Sequence, residues 1–475
     1  MTKSSFPLED LWACFQGMVP AALSTCANDG TPNITFISQV HYVDETHVAI
    51  SFQFFNKTHR NIRENPFACA VVLDPRTLHA YRFRLRYDHS EATGPLFESM
   101  SLQLQAVASY SGMTEVFRLL AADVYEVLGI ERLEGFTRLP VPPPSERSSR
   151  LFIEPDVVSL RLIAERLNHA QTLDETLQGS LQLLDERFGF RHTMILIADQ
   201  RNDKLQTIAS HGYAENGVGS EVGMGEGLIG MVARAKRTLY LSAMDHSLRY
   251  ARAVRDRAEA MGRIEAIECE ISLPGLPDAA SQMAVPLVTR GHLLGVLAVE
   301  SKDPLAFLPH ENTLLSIIGL HLATSIEQLS RDQDDPSTDR AIQVSPTTAA
   351  RSRSTRRFSF FQKDECIFVD GDYLIRNVPA KILWRLLKQY RDNGRVEFTN
   401  RELRMDAWLG LPEYRDNLET RLILLRRRLE QKCPEVRLVQ RSRGRFALFE
   451  FEDVIRVGHL NFPLFLVCCA ICSNR

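Results

Sequence analysis

Residues 283–300 read MAVPLVTRGHLLGVLAVE. Residues 283–288 are an apolar run of strand length, Thr289-Arg-Gly-His292 is a turn, and Leu293 begins a second apolar run ending at Glu300. Run, glycine turn, run is the pattern of a β-hairpin. Upstream, Thr193–Ala198 (TMILIA) and Leu205–Ala209 (LQTIA) are also strand-like, and Gly223-Met-Gly-Glu-Gly-Leu-Ile-Gly230 is a glycine-rich turn running into a helix, Leu228 to Lys236. The glycine run lacks the Gly-Lys-Ser/Thr ending of a nucleotide loop and the spacing of a dinucleotide fingerprint. Helices flank these strands. On one side Leu160, Ile163, Leu167, Leu173, Leu177, Leu181, Leu184 and Phe188 recur at helical intervals; on the other, Leu315, Ile318, Leu322 and Leu329 do. His211, His246, His292, His310 and His321 form no spaced metal set, and Cys269, the only cysteine of the block, reads as a spare thiol.

N-terminal to this block, residues 23–40 read as strand, turn, strand, because Asn28-Asp29-Gly30 tolerates positive φ. Residues 47–55 (HVAISFQFF) and 68–73 (ACAVVL) are further β-rich runs, which predicts a small barrel. Between them, residues 56–66 predict a short basic helix stopped by Asn65-Pro66.

C-terminal to the central block, residues 358–375 read as short strands around Asp370-Gly-Asp, and Lys381 to Arg391 as a helix. Thr399 and Glu402 have capping-box spacing and open a second helix. In a third helix, Tyr414 to Lys432, Leu418, Leu422, Leu425 and Leu429 form a core stripe, while Asn417, Arg421, Leu424 and Arg428 share another face, flanked by Arg426 and Arg427. Residues 436–449 then read as a hairpin with a basic tip, Arg441, Arg443, Gly444 and Arg445.

The chain has 475 residues, 44% hydrophobic and 24% charged, with net charge −3. That excludes a wholly disordered or collagen-like chain and suits several domains. The small net charge hides an asymmetry. Residues 351–456 hold 24 Lys/Arg against 16 Asp/Glu, a balance of +8, so the remainder carries −11. No secretory leader and no apolar run of about 18 residues is visible, so no membrane span is expected. The nine cysteines, mostly single among apolar neighbours, suit reduced thiols in a cytoplasm. Cys468, Cys469 and Cys472 in the tail lack the partners of a zinc site.

Each block resembles a known family. The NDGTPN hairpin, ISFQFFNKT, HRNIRENP and ACAVVLDP, over about residues 10–135, look like the pyridoxamine 5′-phosphate oxidase-like split barrel. Members often bind FMN, and sometimes haem or F420, at a dimer interface. The resemblance implies that Lys57, Thr58 and Arg60 hold the flavin phosphate, with Arg82 or Arg84 on the next strand pair as additional candidates. Cations and a hydroxyl at a helix N-terminus suit an anion. A barrel that has lost its flavin is the competing reading. The glycine turn and closing hairpin are similar to a GAF domain over about residues 157–330. This implies a sensory module with a small-molecule ligand, unidentified here, and pairing of flanking helices between subunits. RLILLRRRLEQ followed by VRLVQRSRGRFAL resembles the OmpR-type winged helix of response regulators. This implies that Asn417, Arg421 and Arg428 read bases while Arg427, Arg441, Arg443 and Arg445 hold phosphates. No receiver domain precedes it, so control would fall to the GAF block.

The expected architecture is thus multidomain α+β: a β split barrel (1–138), a Pro/Ser linker (139–150), a GAF α/β sensor domain (151–330), a flexible linker (331–357), a winged-helix DNA-binding domain (358–453) and a tail (454–475) without an assigned role. The leading expectation is a cytoplasmic, homodimeric one-component transcription regulator that couples flavin or small-molecule sensing to DNA. An FMN-dependent oxidoreductase with accessory domains is the alternative, and a ligand-free scaffold the third.

Overall fold

The computed structural model describes the chain except residues 1–5, 18, 38, 53–55, 112–118, 136–152, 200–201, 243, 245–270, 272, 308, 333–355, 363, 410, 412–417, 443, 451–454 and 461–475. The 139–150 linker, most of the 331–357 linker, Asn417, Arg443, Cys269 and the tail cysteines therefore lie outside the described residues.

The N-terminal unit is one seven-stranded antiparallel sheet. Its strands are β1 (Ala21–Cys26), β2 (Pro32–Ile37), β3 (Val40–Tyr42), β4 (His47–Phe52), β5 (Phe67–Leu73), β6 (Ala80–Glu91) and β7 (Ala121–Leu133), in the order β2-β1-β5-β6-β7-β4-β3. The Asn-Asp-Gly turn forms as read: Gly30 takes φ +85°, and the Asp29 carboxylate accepts from the Thr31 amide at 2.8 Å. Alternation along the strands sends Leu23, Ile37, Val48, Ile50, Val72, Phe83 and Leu85 into one core. Helix α1 (Asn56–Glu64) crosses from β4 to β5, and a longer helix, α2 (Pro95–Ser111), is inserted between β6 and β7.

The central unit has helices α3 (Ile153–His169) and α4 (Leu173–Phe188), then strands β8 (His192–Asp199), β9 (Lys204–His211) and β10 (Glu221–Gly223). Helix α5 (Gly227–Ala235), β11 (Leu239–Leu241), β12 (Ser281–Thr289), β13 (His292–Ser301) and α6 (Pro309–Asp332) follow, and the sheet order is β10-β9-β8-β13-β12-β11. The near-continuous apolar strands have a simple cause: both faces are covered. Ile195, Ile197, Val285, Leu297 and Val299 face the core shared with α3, α4 and α6. Met194, Leu196, Ala284, Val296 and Ala298 belong to the core that contains α5.

The C-terminal unit starts with β14 (Arg356–Phe361), β15 (Cys366–Val369) and β16 (Asp372–Arg376). Helix α7 (Asn377–Asn393), β17 (Glu397–Thr399), α8 (Asn400–Met405), α9 (Leu418–Lys432), β18 (Val436–Ser442) and β19 (Arg445–Glu450) follow. Trp384 on α7 stacks on Phe360 at 5.3 Å between centroids. The capping box at Thr399 forms as read. One boundary needs correction. Strand β20 (Ile455–Leu460) pairs in parallel with β14, so this unit extends past 453 into the segment read as tail.

The units pack on one another. Helix α2 donates Ala106 to the α5-side core of the central unit, and Arg237 pairs with Glu98 at 2.7 Å. On the opposite face, the core under α4 and α6 continues without a break into α7 and α9. No helix among the described residues is long and apolar enough to cross a membrane.

Candidate functional site

Two regions carry the predicted chemistry. The first is α1. Thr58, Asn61 and Ile62 turn inward, which leaves Lys57 and Arg60 exposed. Thr58 Oγ1 accepts from Asn33 at 2.9 Å, and Asn61 donates to Thr25 Oγ1 at 3.1 Å, so polar bonds seat the helix on β1 and β2. Arg82 and Arg84 lie on the outward face of β6. Arg82 is ion-paired with Glu131 at 2.5 Å. Arg84 lies over Gly129, where a Cβ would stand 2.6 Å from its guanidinium. The five predicted residues therefore fall into two groups. Lys57, Arg60 and Arg84 remain solvent-facing cations, and their charge fits an anionic group such as a flavin phosphate. Thr58 and Arg82 are committed to partners within the barrel.

A cluster that the sequence reading missed lies near α1. Asp123, buried on β7, accepts from Ser90 Oγ and faces His59 at 3.6 Å, and His59 stacks on Phe52. Burial raises the Asp123 carboxyl above its ordinary value, against the lowering effect of Ser90, His59 and Arg63. A buried acid beside an imidazole can hold or pass a proton. The one signal in the sequence was an acid inside an otherwise apolar strand, Ala121-Ala-Asp-Val-Tyr125.

The glycine turn of the central unit is closed on itself. The Gly225 amide donates to Gly230, Glu226 to Gly223, Gly230 to Glu226, and Gly223 to the Glu226 carboxylate. These amides are therefore engaged within the turn.

The second region is α9. The expected core stripe, Leu418, Leu422, Leu425 and Leu429, is buried. Of the stripe expected to face a DNA groove, Leu424 and Arg428 are buried and the Arg421 side chain is 11% exposed, which corrects their predicted exposure. Arg428 is 5% exposed and donates to the Leu374 carbonyl at 2.9 Å within its own unit; burial lowers its pKa. Arg427 is 9% exposed and donates to the Ile208 carbonyl and to Asp174, both in the central unit. Arg421 faces Asp199 at 4.0 Å. Leu424 and Arg428 approach Gly219, where a Cβ would lie 3.5 and 3.6 Å from their carbons. Ile423 and Leu424 are fully buried, and a helix covered on nearly all sides is a core helix. The hairpin behaves differently: Arg441 and Arg445 at its tip are exposed. Next to α9, Arg376 and Asn377 reach Glu221 of β10, which also binds Lys204 at 2.9 Å. Burial pulls the Glu221 carboxyl upward, but Arg376 and Lys204 outweigh it and hold it below its ordinary value.

Family models match two of the three units: residues 9–128 match the pyridoxamine 5′-phosphate oxidase model, and residues 170–327 match the GAF domain model. The chain thus carries a pyridoxamine 5′-phosphate oxidase-like domain followed by a GAF domain. Solved structures resemble these units singly. The GAF domain of an Acinetobacter phosphoenolpyruvate-protein phosphotransferase is 23% identical, covering 36% of this chain and 92% of its own, with TM-score 0.29. An FMN-binding protein from Syntrophomonas wolfei is 16% identical, covering 28% and 89%, with TM-score 0.23. A free methionine-R-sulfoxide reductase from Neisseria meningitidis is 17% identical, covering 37% and 91%, with TM-score 0.29. Comparison with curated proteins finds no match.

Proposed function

We propose that this chain is a one-component regulator. A flavin-binding barrel and the GAF domain sense a small molecule or redox state, and the C-terminal unit, read as a winged helix, binds DNA. The observation that carries this reading is the C-terminal order of strands, three helices and a basic-tipped hairpin, in the segment that holds the chain's excess positive charge. Arg441 and Arg445 would meet phosphates, and α9, buried against the GAF domain in this structure, would enter the groove after leaving it. Arg428, bonded within its own unit, is a structural residue in this scheme.

Lys57, Arg60 and Arg84 would hold the flavin phosphate. The flavin, when bound, supplies electron-transfer chemistry. We also read the outward face of β1, β2 and β5 as the contact with a second copy. Phe36 and Ile34 there are 73% and 68% exposed, Phe67 lies alongside, and the exposed ion pair of Arg82 with Glu131 borders the patch.

The test is DNA binding by the full chain at two salt concentrations. Affinity should fall steeply as salt rises, because neutralised phosphates release counterions. Binding whose affinity is independent of salt sinks the regulator reading. The second reading, an FMN-dependent oxidoreductase, rests on the Asp123–His59 cluster near α1. It predicts substrate-dependent bleaching of a visible flavin band that His59→Ala removes.

A further inference from the structure

The buried stripe of α9 and the acids that cover it point to a regulatory contact. Four acceptors of the GAF domain converge on this unit: Asp174 at the start of α4, the Ile208 carbonyl of β9, Asp199 at the end of β8, and Glu221 on β10. They face Arg427, Arg421 and Arg376. Gly219, at φ +94°, lets the GAF backbone approach Leu424 and the Arg428 stem closely. Arginine forks bind carboxylates and phosphates by the same bidentate geometry, so the two compete for one side chain. Meanwhile the hairpin arginines, Arg441 and Arg445, stay exposed.

We infer that the GAF domain holds the C-terminal unit in an inhibited position, with Asp174 and Asp199 engaging the α9 arginines Arg427 and Arg421 that DNA would otherwise meet and Glu221 clamping Arg376 beside them, and that DNA engagement requires the unit to undock. The inference rests on the DNA-binding reading above and deepens it by naming its control. In the docked state Arg441 and Arg445 of the hairpin stay exposed to DNA, which gives weak contact. Undocking separates Arg421 from Asp199, and Arg427 from Asp174 and the Ile208 carbonyl, in one step. The opposite face of the GAF sheet carries α5, against which α2 of the barrel packs. A ligand or redox change felt at either neighbour would therefore act across a single sheet.

The test uses the full chain, an Asp174→Asn/Glu221→Arg variant, and a swap that adds Arg376→Glu to Glu221→Arg alone. Two readouts are taken: phenylglyoxal labelling of Arg421 and Arg427 by mass spectrometry, and anisotropy of a labelled mixed-sequence DNA duplex. Arg428 serves as the internal control at its guanidinium, which is bonded to the Leu374 carbonyl and Gln431 of its own unit although its stem lies against Gly219. The double variant should label Arg421 and Arg427 about tenfold faster than the parent, leave Arg428 protected, and bind DNA about tenfold more tightly. The swap should return both readouts toward the parent, which separates lost docking from lost folding. Labelled Arg428 with no restoration by the swap marks unfolding at a contact the charge pair does not control, and overturns the inference. DNA binding by the parent as tight as by the released variant also overturns it, while the DNA-binding reading stands. Release of both arginines without DNA binding by any form removes the DNA-binding reading and the inference with it.

Discussion

Glycines in the 223–230 turn divide by what a side chain would meet. At Gly230 a Cβ would lie 2.2 Å from the Gly223 carbonyl and 2.9 Å from the Gly225 amide, both fixed backbone. At Gly227 a Cβ meets nothing within 4 Å, and only its φ of +57° opposes substitution. Gly230→Ala should therefore cost about 3 kcal/mol or more, beyond the usual overpacking range, whereas Gly227→Ala should cost about 1–2 kcal/mol from left-handed strain. Urea denaturation of the two variants checks the order; equal losses would mean that the turn opens to relieve the clash. The turn's presence was legible in the sequence because glycine marks positive φ and close approach. The fate of the arginines was legible only in part. Helical spacing places Arg421, Leu424 and Arg428 on one face, but spacing is local. What covers that face is decided by the GAF domain, some 200 residues earlier in the chain.

At the scale of elements, local signals read well and long-range pairing did not. Thr399 and Glu402 lie three residues apart, and the box they form is complete: the Thr399 hydroxyl accepts from the Glu402 amide at 3.2 Å, while the Glu402 carboxylate accepts from the Thr399 amide at 3.1 Å. Helix α8 is only six residues long, so its first turn depends on this cap. Thr399→Ala should lower stability by about 1 kcal/mol and Thr399→Ser should recover most of it; a thermal melt in which Ser fails as badly as Ala would instead assign the loss to the missing methyl. Strand β20 escaped notice because its parallel partner β14 lies about a hundred residues away, with no turn between them to betray the pairing. The outward barrel face is a different element-scale feature. Phe36→Glu places a charge in the centre of the exposed apolar patch and leaves the inward core untouched. If the face joins two copies, this variant should sediment as a monomer at concentrations where the parent is a dimer; an unchanged dimer would move the contact elsewhere, for example to α3 and α6, where Val157, Val158 and Leu320 are exposed.

Across the whole molecule, the charge asymmetry has a structural counterpart. The basic C-terminal unit sits against acids of the GAF domain, and the two signs nearly cancel in the total. This arrangement makes docking sensitive to acid. Glu221 faces Lys204, Arg376 and Asn377, and its carboxyl is held below the ordinary 4.5. A carboxyl lowered by folding contributes stability that is present above its unfolded value and fades as pH falls through the folded one. Glu419, on α9 beside Arg426, Asp174 and Asn400, has the opposite sign: burial raises it, so its contribution is present at low pH and lost as pH rises. The two oppose each other, and Glu221→Gln isolates them. In the parent, small-angle scattering should report a compact chain at neutral pH and an expanded one as pH drops below 4.5. In Glu221→Gln the chain should be partly expanded already at neutral pH and should expand little further on acidification. If the variant follows the parent's acid response step for step, the carboxylate at Glu221 does not hold the units together, and the contact rests on Arg427 with Asp174 and the shared apolar core under α9.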